Sequence, residues 1–360
     1  MVQEKPSDWI VHNCIKASPD SLRVTLKRKR DSDLAPFAPF PGSSVQFMLP
    51  TSPSLKRQYS LIPPVNKDQP EFIVKDVKGG KASQYFHQQL KRGDSLQIQG
   101  VHNSLWKDDW SNPGKTFICF SGGIGVTPVY SLLHWGLVTA SRLNHSFQLF
   151  HSAKTPRHAL LTDELNQLQP NKRFNLMRVF SERANDDGDA LGHITKENVL
   201  AWLEGHPKAH EAEFIICGPF GMMQNVHDAL DSLEVPAVRR HTEYFTDRII
   251  ESKLTRTTDA PVTCQDRPKC TVEIEQDSGV QQFKMHGEGK SILRAALQAG
   301  LDVPHSCRGG VCRSCEARVI EGEVLRDGVS GLSDSEKAEG KILCCRTQPK
   351  TNFLKLRFDH

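Results

Sequence analysis

The sequence predicts a multidomain chain: an antiparallel β-barrel, then an α/β domain with a parallel sheet, then a small α+β domain. Three observations carry that reading. The first hundred residues are short alternating segments broken by turn formers. From about Lys115, apolar runs alternate with helical stretches. Towards the C-terminal end, five of the ten cysteines lie between Cys307 and Cys345. The boundaries read as 1–113, 114–246, a linker over 247–269, and 270–360.

The bulk numbers agree. A chain of 360 residues has room for two or three cores of ordinary size. Hydrophobic residues at 38% and charged residues at 24% are those of a soluble globular protein. No apolar run approaches the roughly 18–20 residues that cross a bilayer. Met1 to Lys16 lacks the apolar core of a signal peptide, so a cytoplasmic location without membrane attachment is expected. A net charge of +4 over this length does not suggest a nucleic-acid binder. The basic run Lys27-Arg28-Lys29-Arg30 follows the alternating Leu22 to Leu26 and reads as a solvated strand end. Clustered cysteines in a reducing compartment point to metal or redox chemistry rather than to disulfides.

In the barrel region, Val45 to Leu49, Phe72 to Val74 and Ser95 to Ile98 are the clearest strands. Turns are marked by Pro41-Gly42, Pro63-Pro64 and Gly79-Gly80. In the second domain, Phe117 to Phe120, Phe147 to Phe150 and Phe214 to Cys217 read as strands. Helices are expected over Val129 to Leu137, Ala159 to Leu168, Lys196 to Leu203 and Met222 to Leu233. Thr195 is the expected N-cap of the third, with Ile194 as its hydrophobic staple. Beyond the linker, Thr271 to Ile274 and Gln282 to Met285 read as a hairpin, Ser291 to Ala299 as a helix, and Leu354 to Phe358 as a final strand.

The most specific signal is His305-Ser306-Cys307-Arg308-Gly309-Gly310-Val311-Cys312-Arg313-Ser314-Cys315, a C-x4-C-x2-C spacing with further cysteines downstream. That is the spacing of a plant-type [2Fe–2S] loop. Gly309 and Gly310 would let the main chain approach the cluster closely. A structural zinc site would pair two C-x2-C knuckles, and only one is present. Three buried free thiols in nine residues make a poor packing motif.

Two glycine-rich turns point to phosphate. Gly79-Gly80-Lys81-Ala82-Ser83 runs into a helical stretch, and Ser121-Gly122-Gly123-Ile124-Gly125-Val126-Thr127-Pro128 follows an apolar strand and opens a helix. Each would present free N–H groups to an anion. Read alone, the Ser121–Pro128 turn is equally a tight strand-to-helix turn without a ligand. Arg57-Gln58-Tyr59-Ser60 has the form R-x-Y-S, and Cys217-Gly218-Pro219 ends a strand.

With these motifs in order, the chain resembles the three-module reductases of the ferredoxin–NADP reductase superfamily. Residues 270–360 are similar to the plant-type ferredoxin domain fused to flavin reductases, including Glu339-Gly340-Lys341-Ile342-Leu343-Cys344-Cys345-Arg346. The resemblance implies a β-grasp fold for that domain and Cys307, Cys312, Cys315 and Cys345 as cluster ligands. Cys345 stands four residues before Pro349 and five after Gly340, as the family's fourth ligand does. It further implies FAD rather than FMN, held by Arg57, Lys75, Gly80, Lys81, Ala82 and Ser83. Tyr59 would lie against the flavin ring, with Ser60 near the atom that receives hydride. For the nicotinamide dinucleotide it implies Gly122, Gly123, Gly125, Thr127, Pro128, Gly218 and Pro219. Cys217 would sit at the nicotinamide and Phe245, in Glu243-Tyr244-Phe245, near the flavin. Tyr59, Ser60 and Cys217 are the candidate catalytic residues. One departure stands out: the family's "GPxGxF" segment is replaced by Gly100-Val101-His102-Asn103-Ser104-Leu105-Trp106.

The implied function is electron transfer from NADH, with NADPH as the alternative donor, through the flavin and the cluster to a partner protein. Lys154 and Arg157 suit a 2′-phosphate, but the resemblance leans to NADH. The implied partner is a Rieske or di-iron oxygenase or a hybrid-cluster protein. A redox sensor gated by its cluster is the rival of another class. The sequence sets no oligomeric state.

Overall fold

The computed structural model describes residues 7–28, 40–50, 55–63, 69–103, 105–182, 189–206, 208–243, 270–276, 279–285, 291–301, 303–304, 315–326, 332 and 334–358. The chain divides into two compact units, 1–243 and 244–360.

The first unit opens with a closed antiparallel barrel of β1 (Ser7–Ser18), β2 (Ser21–Arg28), β3 (Ser44–Leu49), β4 (Leu55–Ile62), β5 (Glu71–Lys75) and β6 (Ser95–His102), in the order β1-β2-β5-β4-β3-β6. β1 pairs with β6 to close it. Alternation drives the register: Val45, Phe47 and Leu49 are fully buried, while the residues between them are not all covered. A short helix, α1 (Lys81–Gln84), widens into a π-type turn over Tyr85–Gln89. It sets the buried Phe86 against Phe47, Phe72 and Tyr59, with ring centroids 5.1–6.3 Å apart.

The second half of this unit is a parallel sheet of β7 (Thr116–Gly122), β8 (Ser146–Ala153), β9 (Phe174–Phe180), β10 (Ala190–Leu191), β11 (Glu213–Cys217) and β12 (Arg240–Glu243). Their order is β10-β9-β8-β7-β11-β12. Every residue of β7 is buried, as expected of a central parallel strand covered on both faces. The helices are α2 (Val126–His134), α3 (Thr162–Leu168), α4 (Lys196–Leu203) and α5 (Phe220–Ser232).

α2 starts three residues before the expected Val129, because Pro128 sits in the first turn, where a missing N–H is harmless. α3 starts later than the expected Ala159. Residues 156–158 form a separate turn and Leu161 takes a left-handed φ of 57°, which a continuous helix cannot contain. α4 is as expected: Thr195 accepts from Asn198 N at 3.2 Å, and Ile194 and Val199 are both buried. α2 packs on β4, and Gly42 N donates to Ser131 Oγ at 3.1 Å, joining barrel and sheet.

Among the described residues the second unit combines a five-stranded mixed sheet, a two-stranded sheet and two helices. Its elements are β13 (Cys270–Gln276), β14 (Gly279–Met285), α6 (Ile292–Gln298), β15 (Glu316–Glu321), β16 (Val324–Arg326), α7 (Asp334–Ala338), β17 (Lys341–Leu343), β18 (Thr347–Pro349) and β19 (Phe353–Arg357). The order β14-β13-β19-β15-β17 puts the last strand in the middle, parallel to β13 and antiparallel to β15. Val272, Ile342, Leu354 and Leu356 are wholly buried in its core. Phe245, the expected linker, Cys307 and Cys312 lie outside the described residues. Among the described residues no helix is long and apolar enough to cross a membrane.

Candidate active site

Where the parallel strands end, three side chains from three elements converge. Cys217 and Glu243 are register partners at the last positions of β11 and β12, and both are buried. Ser60, also buried, faces them from β4. Burial pushes the Glu243 carboxyl up to about 8, and the nearby Ser60 hydroxyl only partly offsets that. Burial also drives the Cys217 thiol well above its ordinary value, and Glu243 adds to the rise. Neither Ser60 Oγ nor Glu243 Oε2 makes a hydrogen bond to the described residues. Buried polar atoms left unmatched in this way are rare and call for a ligand, a water or a function.

Arg57 and Tyr59 share the inward-facing register of β4, opposite Phe47 and Val45. The Tyr59 ring packs on Phe72 at 5.4 Å and Phe86 at 5.1 Å, so core phenylalanines back a ring that stays partly exposed. Burial raises its hydroxyl far above the usual phenol range, although Arg57 opposes the shift.

The turn before α1 is held by Ser83. Its hydroxyl donates to Gly80 O at 2.9 Å, with Val77 O a second acceptor within reach at 3.2 Å, and accepts from Val77 N at 3.1 Å. A Cβ on Gly80 would stand 2.8 Å from that hydroxyl, so glycine is required there by the turn itself. No side chain caps the start of α1.

The nucleotide-side glycines have a similar lesson. A Cβ on Gly125 would lie 2.2 Å from Cys217 O, one on Gly218 2.7 Å from Gly122 N, and one on Gly122 2.5 Å from Pro219 Cδ. These three glycines let the loop after β7 press against the loop after β11. Thr127 turns its hydroxyl to Ile124 O at 3.0 Å and also serves the turn. Gly123 takes a φ of +53°, and Lys75 Nζ lies 3.7 Å from where its Cβ would stand. Lys75 pairs with Asp20 at 3.4 Å.

Beside this juncture, His151 is wholly buried on β8. Its Nδ1 bonds Ser121 Oγ at 2.8 Å and its Nε2 has no partner among the described residues. Burial lowers its pKa to about 4, with Arg178 adding to the shift. Past the ends of β8 and β9, a cavity of about 200 Å³ opens between Pro156, Thr162, Asn166, Arg178, Phe180 and Asp189. Lys154 and Arg157 are exposed on the loop there.

The departure at residues 100–106 is resolved by one side chain. Asn103 Nδ2 donates to Pro41 O and Ser43 Oγ, both at 3.1 Å, while Oδ1 accepts from Leu105 N and Trp106 N. An Asn-held turn thus replaces the proline–glycine one, and Trp106 stacks on Phe40 at 5.6 Å.

In the second unit, Cys315 and Cys345 are buried in the same core. Cys344 N donates to Cys315 O at 3.0 Å, continuing the Glu316–Leu343 ladder. Residues 344–346 form one 3-10 turn rather than a strand, so strict alternation does not govern which thiol faces Cys315. The Cys344 thiol is raised by burial and by Cys315.

Residues 13–106 match the oxidoreductase FAD-binding domain family, 118–228 the oxidoreductase NAD-binding domain family, and 270–350 the 2Fe-2S iron-sulfur cluster binding domain family. The chain is a three-module reductase of the ferredoxin–NADP reductase superfamily. The reductase is 28% identical over 344 residues to the ferredoxin reductase component of 3-ketosteroid-9-alpha-monooxygenase from Rhodococcus rhodochrous, covering 89% of this chain and 88% of that protein. It is 27% identical over 351 residues to the carnitine monooxygenase reductase component from Acinetobacter baumannii, covering 96% of each. Its fold matches the solved phthalate dioxygenase reductase, described as a modular structure for electron transfer from pyridine nucleotides to [2Fe–2S], with a TM-score of 0.55 at 24% identity over 98% and 97% of the chains.

The reductase is an NADH-dependent oxidoreductase of FAD, NADH and a [2Fe–2S] cluster. Its residues fit these groups: unmatched buried polar atoms face the sheet's C-terminal edge, and buried thiols supply the donor chemistry of a cluster. Sequence reasoning missed Glu243 and His151 as site residues. Glu243 heads the segment from which only Phe245 was taken, so a signal existed; His151 carried none beyond its place at a strand end.

Proposed function

We propose that the reductase delivers single electrons to the oxygenase component of a multicomponent oxygenase. Bound FAD would supply the conversion between the two-electron chemistry of NADH and the one-electron chemistry of the cluster. In this reading Arg57, Lys75 and the Gly80-Lys81-Ala82-Ser83 turn hold the FAD phosphates. Tyr59 backs the ring, and Ser60 offers its hydroxyl where hydride arrives. Gly122, Gly123, Gly125, Thr127, Pro128, Gly218 and Pro219 shape the nicotinamide pocket with Cys217, and Phe245 belongs near the flavin. Glu243, kept neutral at pH 7 by burial, holds a proton beside Ser60. Cys307, Cys312, Cys315 and Cys345 bind the iron.

The observation that carries this reading is the order of modules along the chain, shared with relatives named as oxygenase reductase components over most of both lengths. The test is to reduce the purified protein with NADH and mix it anaerobically with a Rieske-type oxygenase, a di-iron oxygenase or a hybrid-cluster protein. Reoxidation of the cluster by an oxygenase at a rate that sustains turnover is expected. Reoxidation by the hybrid-cluster protein alone would overturn the assignment. Ligation is tested separately by electron paramagnetic resonance: Cys344→Ser should keep a normal [2Fe–2S] signal and Cys345→Ser should lose it.

A further inference from the structure

The barrel and the parallel sheet meet at an arginine already fixed before it crosses between them. Arg23, on β2, directs Nε and Nη2 to Glu71 Oε2 on β5, at 2.7 and 2.6 Å. The second oxygen of Glu71 accepts from Thr25 Oγ1 at 2.9 Å. Both carboxylate oxygens are therefore committed within the barrel, and the guanidinium plane has no freedom to rotate. Its remaining nitrogen, Nη1, donates to Glu164 Oε1 on α3, in the other half of the unit. All three side chains are at least three-quarters covered, at 20%, 14% and 23% exposure. Tyr130, on the helix packed against β4, lies in the field of all three.

α3 is not an arbitrary place to attach. It follows the loop that leaves β8 and carries Lys154 and Arg157, and it starts immediately after Leu161, held at a φ of 57°. A non-glycine residue in that conformation persists only where its surroundings impose it. The 154–161 segment is thus gripped by β8 at one end and by α3 at the other, and α3 is gripped by the barrel.

We infer that Arg23 is a positioning residue for hydride transfer: by tying α3 to the barrel through Glu164, it sets where the nicotinamide arrives relative to the flavin. The inference rests on the assignment of FAD to the barrel and NADH to the C-terminal edge of the sheet. Arg23 touches neither group. It acts through the angle between the two halves, where displacement by an ångström is enough to cost a large factor in rate.

The test is a double-mutant cycle of Arg23→Ala and Glu164→Gln, read by anaerobic stopped-flow reduction of the flavin with NADH. Each single variant should keep its FAD and its NADH dissociation constant within about twofold. Each should lower the limiting reduction rate about tenfold and weaken the long-wavelength charge-transfer absorbance of the nicotinamide–flavin complex. The double variant should fall no further than either single one. Should Arg23→Ala fail to fold, Glu164→Gln alone decides, since it leaves the Arg23–Glu71 pair in place. An unchanged limiting rate with a lowered melting temperature would reduce the clamp to a stabilising contact and overturn the inference, as would additive losses. Failure of the cofactor assignment would show differently, as wild-type protein that NADH does not reduce.

Discussion

At the N-terminal ends of β7 and β11, Lys115 reaches Asp109 at 2.6 Å and Glu213 at 3.1 Å, and Glu213 takes another bond from His241 at 2.7 Å. Close by, His145 accepts from Lys115 N through Nδ1, so its proton sits on Nε2, which donates to Trp110 O at 3.0 Å. At the C-terminal ends of the same strands the pattern reverses. Ser60 Oγ, Glu243 Oε2 and His151 Nε2 are buried without partners among the described residues. Apart from Trp110 Nε1, which is buried without a partner among the described residues, the first end commits its polar groups to the fold, while the other holds them ready for a ligand. The contrast follows the general rule that open parallel sheets bind ligands beyond their carboxyl ends.

The comparison breaks most visibly at Gly125. A Cβ there meets a main-chain oxygen at 2.2 Å that cannot swing aside. Gly125→Ala should cost the apoprotein about 3–4 kcal/mol, whereas Gly221→Ala, with nothing within 4 Å, should be neutral or slightly stabilising. Thermal unfolding without added nucleotide decides this, because a glycine kept only for phosphate would leave apoprotein stability untouched.

Glu213→Ala probes the satisfied end. It strips Lys115 and His241 of their shared carboxylate, and a loss of about 3 kcal/mol is expected, with the limiting rate of flavin reduction unchanged. A large fall in that rate would mean that the two ends are not separate in function.

Glu243 sharpens the comparison through pH. Its carboxyl is raised in the folded protein from 4.5 to about 8, so between those values the folded state holds a proton that the unfolded chain has released. The contribution of this group to stability is complete below pH 4.5 and is lost as pH rises to 8. Glu243→Gln should therefore stabilise the apoprotein clearly at pH 8 and do little at pH 5. Melting temperatures across that range measure it, and parallel curves for the two proteins would count against a buried, protonated Glu243.

Ser60→Ala is the subtlest. Removing a hydroxyl with no partner should change stability by no more than about 0.5 kcal/mol. The limiting rate of flavin reduction should fall about tenfold, equivalent to about 1.4 kcal/mol in the barrier. Unchanged kinetics would place Ser60 with the fold rather than with the chemistry.

Much of the fold was legible in the sequence where the cause is local. Thr195 caps α4 because a hydroxyl can reach an N–H three residues on, and the alternation in β3 sorts its faces within the strand itself. Tyr59 shows the limit. Its motif pointed to a flavin ring, and only the packed barrel shows the core phenylalanines that hold it. Ser83 and Thr127, expected at phosphates, spend their hydroxyls on their own turns. A four-residue pattern specifies a turn and not what the turn will face.

The sequence by itself determined the three modules, their order, several of the strands and helices of each, and the clustered thiols near the C-terminal end. Those signals arise from spacing and periodicity within one or two elements, which short-range sterics and hydrogen bonding dictate. The tertiary structure decided which residues meet. Ser60 comes to Glu243 only because α2 docks on β4 while β12 joins the sheet beside β11. Gly125 must be glycine only because Cys217 arrives against it from a strand far along the chain. The last strand takes the centre of its sheet, between β13 and β15, and no local pattern distinguishes a central strand from an edge strand at that position. Contacts of this kind depend on how whole faces close over a core, and a periodicity read along one segment holds no term for the segment it will touch.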